Sequence, residues 1–457
     1  MAEPASYRLF RLLARFLAGL FYRRVEVIGR ERVPATGPLV VAANHQQGLM
    51  DGLLLAATLP RRLRPIAKAP LFRYPLIGQF ARLAGAIPVH RRQDEGRGPV
   101  DNDTMFGAAY RALAEGEALL IFPEGVSQPE PALMPLRTGA ARLVLGSGGS
   151  GGGSAGSGRR ATLLPVGLMF HEPGTFRVGS AVVLIGEPVP TEDFEARPEG
   201  DETVRRLTAR LDAALRRLIV EARDRHTLDL VLAAEAIWRE EAPEVAADPL
   251  ARTTWRQRAA RAHAYLAAFE PARLSALRQR LERYVGELEG TGLTDRDLSQ
   301  GYQLRAVLRY ALRQGLALVL GLPLALWGLV NHIVPYGLTA LVVRGMDPEA
   351  DVESTYKVAV GLVVYPVCWV LEGWLIWRLG GGAVLAVFVF SLLPTGFFAL
   401  SWTQRLDRVG RDTRGLVTVL MDRDLRSHLL ERRRAIMAEF QELLRQVPGR
   451  VLDGAAP

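Results

Sequence analysis

The sequence predicts an α/β fold, a mixed sheet flanked by helices, followed by an α-helical extension and a C-terminal membrane hairpin. Short apolar runs alternate with helical stretches between residues 36 and 190, as they do in α/β domains. Apolar residues then recur at helical spacing among many arginines, and long apolar blocks come last. A chain of 457 residues is long enough to hold all three regions.

The predicted strands are short and rich in Val, Ile and Leu, as strands buried on both faces usually are. Their sequences are GPLVVAANH, RPIAKA, GAIPVHR, GEALLIFPEG, TLLPVGLMF and SAVVLIGEPV. The stretches LMDGLLLAATLP and DTMFGAAYRALAEG lie between them and have helical spacing. This alternation predicts an α/β domain over residues 25–200 whose strands run in both directions. Within it, residues 146–158 have no sizeable side chains to bury, which predicts a flexible Gly/Ser surface loop.

The sequence pattern of residues 1–24 predicts an amphipathic helix that associates with a membrane. Arginines at positions 8, 11 and 15 interrupt the apolar residues of YRLFRLLARFLAGLFYRRVEV at helical spacing. In such a helix the apolar face enters the membrane interface and the arginines contact the lipid headgroups. A helix docked on a soluble domain would give the same pattern, so both interpretations stay open. We expect no cleavable signal peptide.

Three further regions are predicted beyond the α/β domain. They are an α-helical region (201–312), a membrane-embedded region (313–404) and a C-terminal helical tail (405–457). The membrane-embedded region contains three apolar blocks, Gly315–Val343, Val358–Trp377 and Ala383–Trp402. The second and third blocks each approach the roughly 20 residues that a membrane-spanning helix needs. The first block is longer and is interrupted around Asn331, His332 and Pro335.

The charges beside these blocks predict their topology. Three crossings would place the arginine-rich segments LRAVLRYALR and RLDRVGRDTRG on opposite sides of the membrane, which the positive-inside rule disfavours. A re-entrant first block followed by a two-helix hairpin, turning at RLGGG, keeps both segments in the cytoplasm. We therefore expect the protein in the cell (inner) membrane, with its α/β domain on the cytoplasmic face.

The composition restricts the classes of partner and compartment. The 57 Lys and Arg residues exceed the 48 Asp and Glu residues by 57 − 48 = 9 charges, which suits phosphate-bearing substrates or acidic membrane lipids. We expect no nucleic acid partner, because the sequence lacks a basic strand with interleaved aromatics, zinc-ligand spacing and a recognition-helix pattern. The single cysteine, Cys368, excludes an internal disulfide and a cysteine-based metal cluster, in keeping with a reducing compartment.

The candidate catalytic pair is His45 and Asp51, in the segment VVAANHQQGLMDG. Six residues of ideal helix rotate the side chain by about 600°, so the two could not face the same way within one helix. A loop eased by Gly48, with Asp51 opening the next helix, would bring them together. The carboxylate would then hold one imidazole nitrogen, fix the tautomer and stabilise the imidazolium that forms when the other nitrogen takes a proton. A surface loop that happens to contain both residues is the alternative.

Basic residues at the end of a second strand suggest a site for an anionic substrate. The segment GAIPVHRR ends with His90, Arg91 and Arg92, and such a cluster suits a phosphate group. A solvated run of charges is the alternative for this segment.

A glycine turn after a third strand adds candidate binding residues. In IFPEGVSQPEPALMPLRTGAARL the strand breaks at Pro123 and exposes Glu124, Gly125 and Ser127 in a tight turn. The backbone N–H groups of such a turn can bind an anion, and Arg137, at the start of the next helix, adds a fixed positive charge. An ionised Glu124 only accepts hydrogen bonds, from a substrate hydroxyl or from nearby arginines. A fourth segment, LLPVGL, would serve only as a pocket wall.

These four segments, in this order and spacing, resemble the motifs of the glycerolipid acyltransferase family, which acylates glycerol 3-phosphate or lysophosphatidic acid. Asn44, His45 and Asp51 match the first motif, although five residues separate the histidine and aspartate here instead of the usual four. The longer gap occurs in a branch that includes the fungal-type glycerol-3-phosphate/dihydroxyacetone-phosphate acyltransferases. FPEGVS also looks most like that branch, with Ser127 where the commoner motif has arginine. The resemblance covers about residues 25–190, and the C-terminal apolar blocks are similar to the same branch more loosely.

The resemblance implies the glycerolipid acyltransferase fold and a membrane-bound enzyme of phospholipid synthesis. The co-substrate would be acyl-CoA or acyl carrier protein, with no other cofactor and no metal, and the acceptor glycerol 3-phosphate or dihydroxyacetone phosphate. His45 would be the general base that deprotonates the acceptor hydroxyl, and Asp51 would orient His45. The hydroxyl would attack the thioester directly, without a nucleophilic Ser or Cys. The residues implied to hold the acceptor are Arg91, Glu124, Gly125, Ser127 and Arg137.

Three alternatives stay open on the sequence alone. A 1-acylglycerol-3-phosphate or other lysophospholipid acyltransferase would use the same residues on a different acceptor. A hydrolase would use His45 to activate water, although such an enzyme typically needs a metal cluster or an activated Ser or Cys. A non-enzymatic membrane-lipid-binding protein would use only the basic helices, and the four motif segments would then be coincidental.

Overall fold

The computed structural model describes residues 3–90, 103–148, 160–171, 179–194, 201–291, 304–347, 353–421 and 423–454, together with residues 293, 295 and 298. These residues form two compact units. The first comprises Met1–Arg225 with Pro348–Tyr356, and the second comprises His226–Asp347 with Lys357–Pro457.

The first unit is built on a sheet flanked by helices. Its strands are β1 (Arg24–Ile28), β2 (Leu39–Ala43), β3 (Leu63–Lys68), β4 (Ile87–Val89), β5 (Ala118–Ile121), β6 (Thr162–His171) and β7 (Ser180–Ile185). Its helices are α1 (Ala5–Phe21), α2 (Leu49–Thr58), α3 (Pro75–Ala84), α4 (Asp103–Ala114), α5 (Gly139–Ser147) and α6 (Asp201–Arg216). Two short 3₁₀ helices, Arg30–Arg32 and Ala69–Arg73, also lie in this unit.

The sheet is mixed, as the sequence predicts. Its strand order is β1-β7-β6-β2-β5-β3-β4. Strands β2 to β6 pair in parallel, β7 is antiparallel to β6, and β1 is parallel to β7. All six predicted strands form, and β1 is an additional strand that the sequence analysis missed. Its sequence, RVEVI, contains two charged residues and lies at an edge of the sheet, so it lacks the apolar run of a buried strand.

The parallel direction of β2, β3, β4 and β5 determines where the loops with the candidate residues lie. The carboxyl ends of parallel neighbours meet at one edge of a sheet, which is where α/β proteins commonly bind ligands. Ala42 near the end of β2 pairs with Ile121 at the end of β5. The chain segments that follow, with His45 after β2 and Glu124 after β5, therefore leave the sheet side by side.

Helix α6 belongs to the sheet unit, whereas the sequence analysis assigns residues 201–312 to a separate helical region. One face of α6 carries Val204, Leu207, Leu211 and Leu215, all buried in the same core as the residues of α4 and α5. Burial of this apolar face holds the helix against the sheet, so the compact unit extends to Arg225.

The Gly/Ser loop begins later in the structure than the predicted residue 146. Helix α5 continues through Gly146 and Ser147, because the Ser147 hydroxyl donates to the Val144 carbonyl and accepts the Ala161 N–H. These bonds satisfy the last helical turn and join it to the segment before β6. Residues 149–159 lie outside the described residues.

Helix α1 is amphipathic and docks by one face. Tyr7, Phe10 and Leu17 are buried, and the Tyr7 hydroxyl accepts the Leu63 N–H at 2.8 Å. Away from this face Leu12 and Phe16 are exposed, as are Arg8 and Arg15. Docking on the domain thus leaves a second apolar strip on the surface of this helix.

The second unit is helical. Its helices are α7 (Arg225–Glu241), α8 (Pro243–Ala246), α9 (Pro249–Phe269), α10 (Pro271–Thr291), α11 (Leu304–Met346), α12 (Glu353–Met421), α13 (Arg423–Gln446) and α14 (Gly449–Leu452), of which α7 and α12 each begin in the first unit. A core that includes Leu266, Leu281, Tyr284, Ile436 and Leu443 joins α9, α10 and α13. Buried ion pairs within it connect Arg256 with Glu235 at 3.0 Å and Arg433 with Asp295 at 3.2 Å.

The apolar blocks form helices without the interruption that the sequence analysis expects. Helix α11 is continuous through Asn331, His332 and Pro335. The polar side chains bond to carbonyls one turn earlier, Asn331 Nδ2 to Trp327 at 2.6 Å and His332 Nδ1 to Gly328 at 2.7 Å. Because the helix itself satisfies these polar groups, it does not break there.

Helix α12 consists of two arms that meet within the segment RLGGG. Gly381 has φ +73° and ψ −173°, a conformation that ends the first arm and starts the second. A Cβ at Gly373 in the first arm would lie 3.3 Å from Leu385 in the second, so the arms pack closely there. By length and composition, Arg309–Met346 and Thr355–Gly410 are apolar enough to cross a membrane, with mean hydropathies of 1.9 and 2.3.

Candidate active site

The loop between β2 and α2 brings His45 and Asp51 into direct contact. His45 Nδ1 lies 2.7 Å from Asp51 Oδ2, and the His45 side chain is 14% exposed whereas that of Asp51 is completely buried. Gly48, with φ +53° and ψ −124°, makes the turn that reverses the chain between them. A residue with a Cβ would be strained in this conformation, which accounts for the glycine.

The Asp51 carboxylate is held by the loop that it follows. The backbone N–H groups of Gln46 and Gln47 both donate to Oδ2 at 2.8 Å, the same oxygen that contacts His45. Asp51 also lies in the first turn of α2, where the helix dipole favours a negative charge. The arrangement fixes a carboxylate against Nδ1, so this nitrogen carries the proton and Nε2 is the basic nitrogen.

Phe122 and Glu124, which follow β5, support the histidine from the other side. The rings of His45 and Phe122 stack with centroids 4.0 Å apart and planes inclined by 12°. Glu124 Oε1 accepts the His45 N–H at 2.7 Å, and the His45 carbonyl accepts the Gln128 N–H at 3.0 Å. The two loops therefore form one hydrogen-bonded layer at the carboxyl edge of the sheet.

Glu124 is used differently from the sequence-based prediction. It is only 4% exposed, and its second oxygen, Oε2, accepts the Met134 N–H at 3.0 Å. Burial raises the pKa of Glu124, against the opposing effect of the two backbone N–H groups. Both oxygens are thus engaged inside the protein, and the residue joins two loops instead of projecting toward a ligand.

Gly125 and Arg137 lie together as the sequence predicts. Gly125 has φ +76°, and a Cβ added to it would lie 2.6 Å from Arg137 Nε. The Arg137 N–H donates to the Pro123 carbonyl at 2.7 Å, which brings the start of α5 against the turn. Gly125 therefore permits both the left-handed turn and the close approach of the guanidinium.

A cavity of about 710 Å³ opens beside these residues. Such a volume is typical of small-molecule sites. Its polar lining includes His45, Ser127 and Arg137, and most of the remaining lining is apolar, contributed by α1, α2, α3 and β3. Among the apolar residues are Phe10, Leu53, Ala56, Ile77, Phe80 and Ala84.

Four basic side chains line the same cavity. Lys68 ends β3, His90 follows β4, and Arg137 and Arg142 lie at the start of α5. Arg142 also pairs with Asp201 at 2.7 Å. Arg91, predicted to hold the acceptor, lies outside the described residues, as does Arg92. The described residues include no group of three or more His, Cys, Asp or Glu side chains placed to hold a metal ion.

Three supporting residues have contacts that the sequence analysis did not predict, two of them because their partners are distant in the chain. Asn44 donates to the Leu168 carbonyl at 2.9 Å and accepts the Leu168 N–H at 2.6 Å, which ties the end of β2 to β6. The Tyr22 hydroxyl donates to Gln47 at 3.0 Å, and burial raises the pKa of this tyrosine. Thr355 lines the cavity and accepts the Leu49 N–H. Asn44 was noticed only as a motif match, and no local pattern marks the other two.

The segment that contains most of these residues matches a known protein family. Residues 24–168, which contain His45, Asp51, Glu124 and Arg137, match the family described as Acyltransferase. The chain is 31% identical over 197 residues to the 1-acyl-sn-glycerol-3-phosphate acyltransferase of Bacillus subtilis, covering 42% of this chain and 86% of that protein. The chain belongs to the acyltransferase family.

The chain is also similar to two further proteins. Over 138 residues the chain is 35% identical to the mouse 1-acyl-sn-glycerol-3-phosphate acyltransferase alpha, covering 30% of this chain and 46% of the mouse protein. The crystal structure of a 1-acyl-sn-glycerophosphate acyltransferase from Thermotoga maritima has 22% sequence identity and a TM-score of 0.34, over 46% of this chain and 77% of that one. The family member described here thus spans just under half the length of its mouse relative.

The resemblance stated from the sequence is confirmed at the level of the acyltransferase family. Its narrower part, the fungal-type glycerol-3-phosphate/dihydroxyacetone-phosphate branch, is not specifically supported. The relatives named above are 1-acylglycerol-3-phosphate acyltransferases. The choice of acceptor therefore remains a proposal.

Proposed function

We propose that the protein is a glycerolipid acyltransferase that moves a fatty acyl group from a thioester to a hydroxyl of a glycerol phosphate. The contact between His45 Nδ1 and Asp51 Oδ2, at the mouth of an apolar cavity with basic side chains, carries this proposal. It combines a base, an anion site and room for an acyl chain. The family membership supports the same conclusion.

The imidazole of His45 is placed to act as the general base. With Nδ1 protonated against Asp51, Nε2 accepts the proton of the acceptor hydroxyl as the oxygen attacks the thioester carbonyl. The tetrahedral intermediate then collapses, the C–S bond breaks, and the proton passes from the imidazolium to the leaving thiolate. Asp51 stabilises the positive ring between these steps. General base catalysis of this kind contributes about 10²–10⁴ to the rate.

The basic side chains supply the site for the phosphate of the acceptor. Lys68, His90, Arg137 and Arg142 line the cavity with basic side chains. Gly125 and Ser127 line the same cavity, and their polar groups would contact the phosphate or the glycerol hydroxyls of the acceptor. Arg91 keeps its predicted role within this proposal.

The apolar part of the cavity takes the acyl chain of the donor, acyl-CoA or acyl carrier protein. Leu53 and Ala56 of α2 and Phe80 and Ala84 of α3 line this cavity, and no charged side chain of these two helices is part of the lining. An alkyl chain is stabilised there by burial, at about 0.8 kcal/mol per CH₂ group.

The acceptor proposed first is 1-acylglycerol 3-phosphate, because both curated relatives are named for it. Glycerol 3-phosphate, or dihydroxyacetone phosphate, is the second candidate. The five-residue gap between His45 and Asp51 and the serine at position 127 favour it, through the sequence resemblance. A hydrolase would transfer the acyl group to water instead. A lipid-binding protein without enzymatic activity would show no turnover of any acceptor.

Membrane attachment is part of the proposal. Exposed apolar side chains cover α11 and α12, among them Leu312, Leu379 and Phe390, and such surfaces suit a lipid environment. The exposed strip of α1, with Leu12 and Phe16, adds an interfacial contact. The inner membrane and the cytoplasmic face remain predictions from the charge distribution.

The test uses purified full-length protein in detergent with acyl-CoA and three acceptors, namely glycerol 3-phosphate, 1-acylglycerol 3-phosphate and lysophosphatidylcholine. We expect acylated product with one of the first two, and its loss in His45→Ala. His226→Ala is the control, because His226 lies in the helical unit, exposed and paired with Glu282. Thiol release without any acceptor would indicate a hydrolase. Lipid binding unaffected by His45→Ala, without turnover of any acceptor, would refute the enzymatic proposal.

A further inference from the structure

The first turn of α12 contributes a residue to the wall of the candidate active site. Thr355 lines the same cavity as His45 and Gly48 and is 7% exposed. Its hydroxyl oxygen accepts the Leu49 N–H at 3.2 Å. It belongs to the first compact unit, although it lies 355 − 168 = 187 residues beyond the segment that matches the family. We propose that Thr355 is a positioning residue for the acyl transfer, one that the family match does not contain.

Helix α2 needs an acceptor at its start that its own sequence does not provide. Its N-cap residue is Gly48, which has no side chain to accept the first N–H groups of the helix. The Met50 N–H donates to the Gln47 carbonyl at 3.0 Å. The preceding N–H, that of Leu49, donates to Thr355. Thr355 therefore supplies, from a distant segment, the acceptor for the first N–H of the helix.

The start of α2 controls two parts of the site together. Asp51, two residues beyond Leu49, positions the ring of His45. Gly52, Leu53 and Ala56 of the same helix form part of the cavity wall. A shift of this turn would move the carboxylate and the wall relative to the histidine. Misplacement of a reacting group by about 1 Å can cost on the order of 10²-fold in rate.

This inference rests on the proposed function and predicts a defect in kcat. Thr355→Val keeps the shape of the side chain but removes the acceptor, and we expect kcat to fall about 3- to 30-fold, equivalent to about 0.7–2 kcal/mol. KM for the acyl donor should change less than kcat, because Asp51 acts on the base in the transition state. Thr355→Ser retains the hydroxyl and should keep kcat close to that of the wild type.

A second measurement does not depend on activity. Hydrogen exchange of the peptide that contains Leu49 should be faster in Thr355→Val, because its N–H loses its acceptor. Thr58→Val is the matched control. Thr58 lies at the other end of α2, where its hydroxyl donates to the Leu54 carbonyl at 2.7 Å. This variant should leave both kcat and the exchange at Leu49 unchanged. If Thr355→Val does not fold, Thr355→Ala removes the hydroxyl without adding volume.

The outcomes separate this inference from the proposed function. Wild-type kcat and exchange in Thr355→Val, in a protein that His45→Ala inactivates, would overturn the role of Thr355 alone. A defect in Thr355→Ser as large as in Thr355→Val would also overturn it, because the hydroxyl would then not be the active feature. A wild-type protein that acylates no acceptor would overturn the proposed function, whereas the exchange at Leu49 would still test the contact.

Discussion

Replacement of Asp51 by asparagine tests how the carboxylate acts on His45. Three donors converge on Oδ2, the His45 ring and the N–H groups of Gln46 and Gln47, at 2.7, 2.8 and 2.8 Å. In Asp51→Asn the amide oxygen can take the place of Oδ2, because the NH₂ group there would face three donors. The imidazole should therefore keep its tautomer and orientation and lose only the negative charge beside it.

The size of the effect follows from that lost charge. Two unit charges about 4 Å apart interact by about 4 kcal/mol at an effective dielectric constant of about 20. The neutral hydrogen bond that remains returns about 0.5–1.5 kcal/mol. The imidazolium formed during proton transfer is then destabilised by about 2.5–3.5 kcal/mol, which lowers kcat about 70- to 400-fold.

The assay is the initial rate of thiol release from acyl-CoA in the presence of the preferred acceptor, with kcat and KM determined separately. KM should change little, since Asp51 is completely buried beneath the histidine and does not line the cavity. Asp193→Asn is the control, because Asp193 is exposed and paired with Arg210 outside the site. A kcat within about twofold of the wild type would refute the charge-stabilisation argument, since that ratio corresponds to only about 0.4 kcal/mol.

Two further variants probe the substrate cavity. Gly125→Ala places a Cβ 2.6 Å from Arg137 Nε in a left-handed turn. We expect the free energy of unfolding to fall by about 1–2 kcal/mol, which lowers Tm. We also expect a higher KM for the phosphate acceptor, because Arg137 is displaced. Ala56→Leu adds bulk to the apolar wall, so rates with a panel of acyl-CoA donors should shift toward shorter chains. Ala57→Leu, next to it but not lining the cavity, should leave that preference unchanged; equal shifts in both variants would contradict the assignment of the wall.

The fold was predictable from the sequence where apolar patterns are local. The six predicted strands are short and rich in Val, Ile, Leu and Ala residues, and all six form. The contact between His45 and Asp51 was also predictable from the local sequence. The two residues are only six positions apart, and Gly48 permits the turn between them. Local periodicity and turn chemistry contain this information.

The rest of the site depends on contacts between distant parts of the chain. Asn44 bonds to the backbone of Leu168, 124 residues away, and Leu49 bonds to Thr355, 306 residues away. The prediction for Glu124 assumed that an exposed carboxylate would meet a ligand. Its partners are instead the backbone N–H groups of His45 and Met134, and every non-proline residue carries such a group, so no sequence pattern marks it. The same limitation applies to α11, which was predicted to be interrupted. Its Asn331 and His332 side chains bond to backbone carbonyls, and no sequence pattern marks those carbonyls.

Glu124 gives a test of this buried carboxylate through pH. Burial raises the pKa of Glu124 in the folded protein above its unfolded value, which is about 4.3. Between these two pKa values the native state binds more protons than the unfolded state. Its contribution to the free energy of unfolding is then complete below the unfolded pKa and is lost as pH rises through the folded one. Glu124→Gln cannot ionise, but it turns an NH₂ group toward one of the two N–H donors, which costs about 1–3 kcal/mol.

We therefore expect the Tm of Glu124→Gln to lie below that of the wild type at pH 4 and to approach it as pH rises, since only the wild type must bury a charge there. Tm measured across this range with Glu130→Gln as the control checks the sign, because Glu130 is exposed on the same loop. A gap between wild type and Glu124→Gln that widens with pH would mean that the N–H groups of His45 and Met134 stabilise the carboxylate by more than burial destabilises it. Glu124 would then join the loops of His45 and Gly125 most strongly when ionised, and loss of its proton would strengthen that connection.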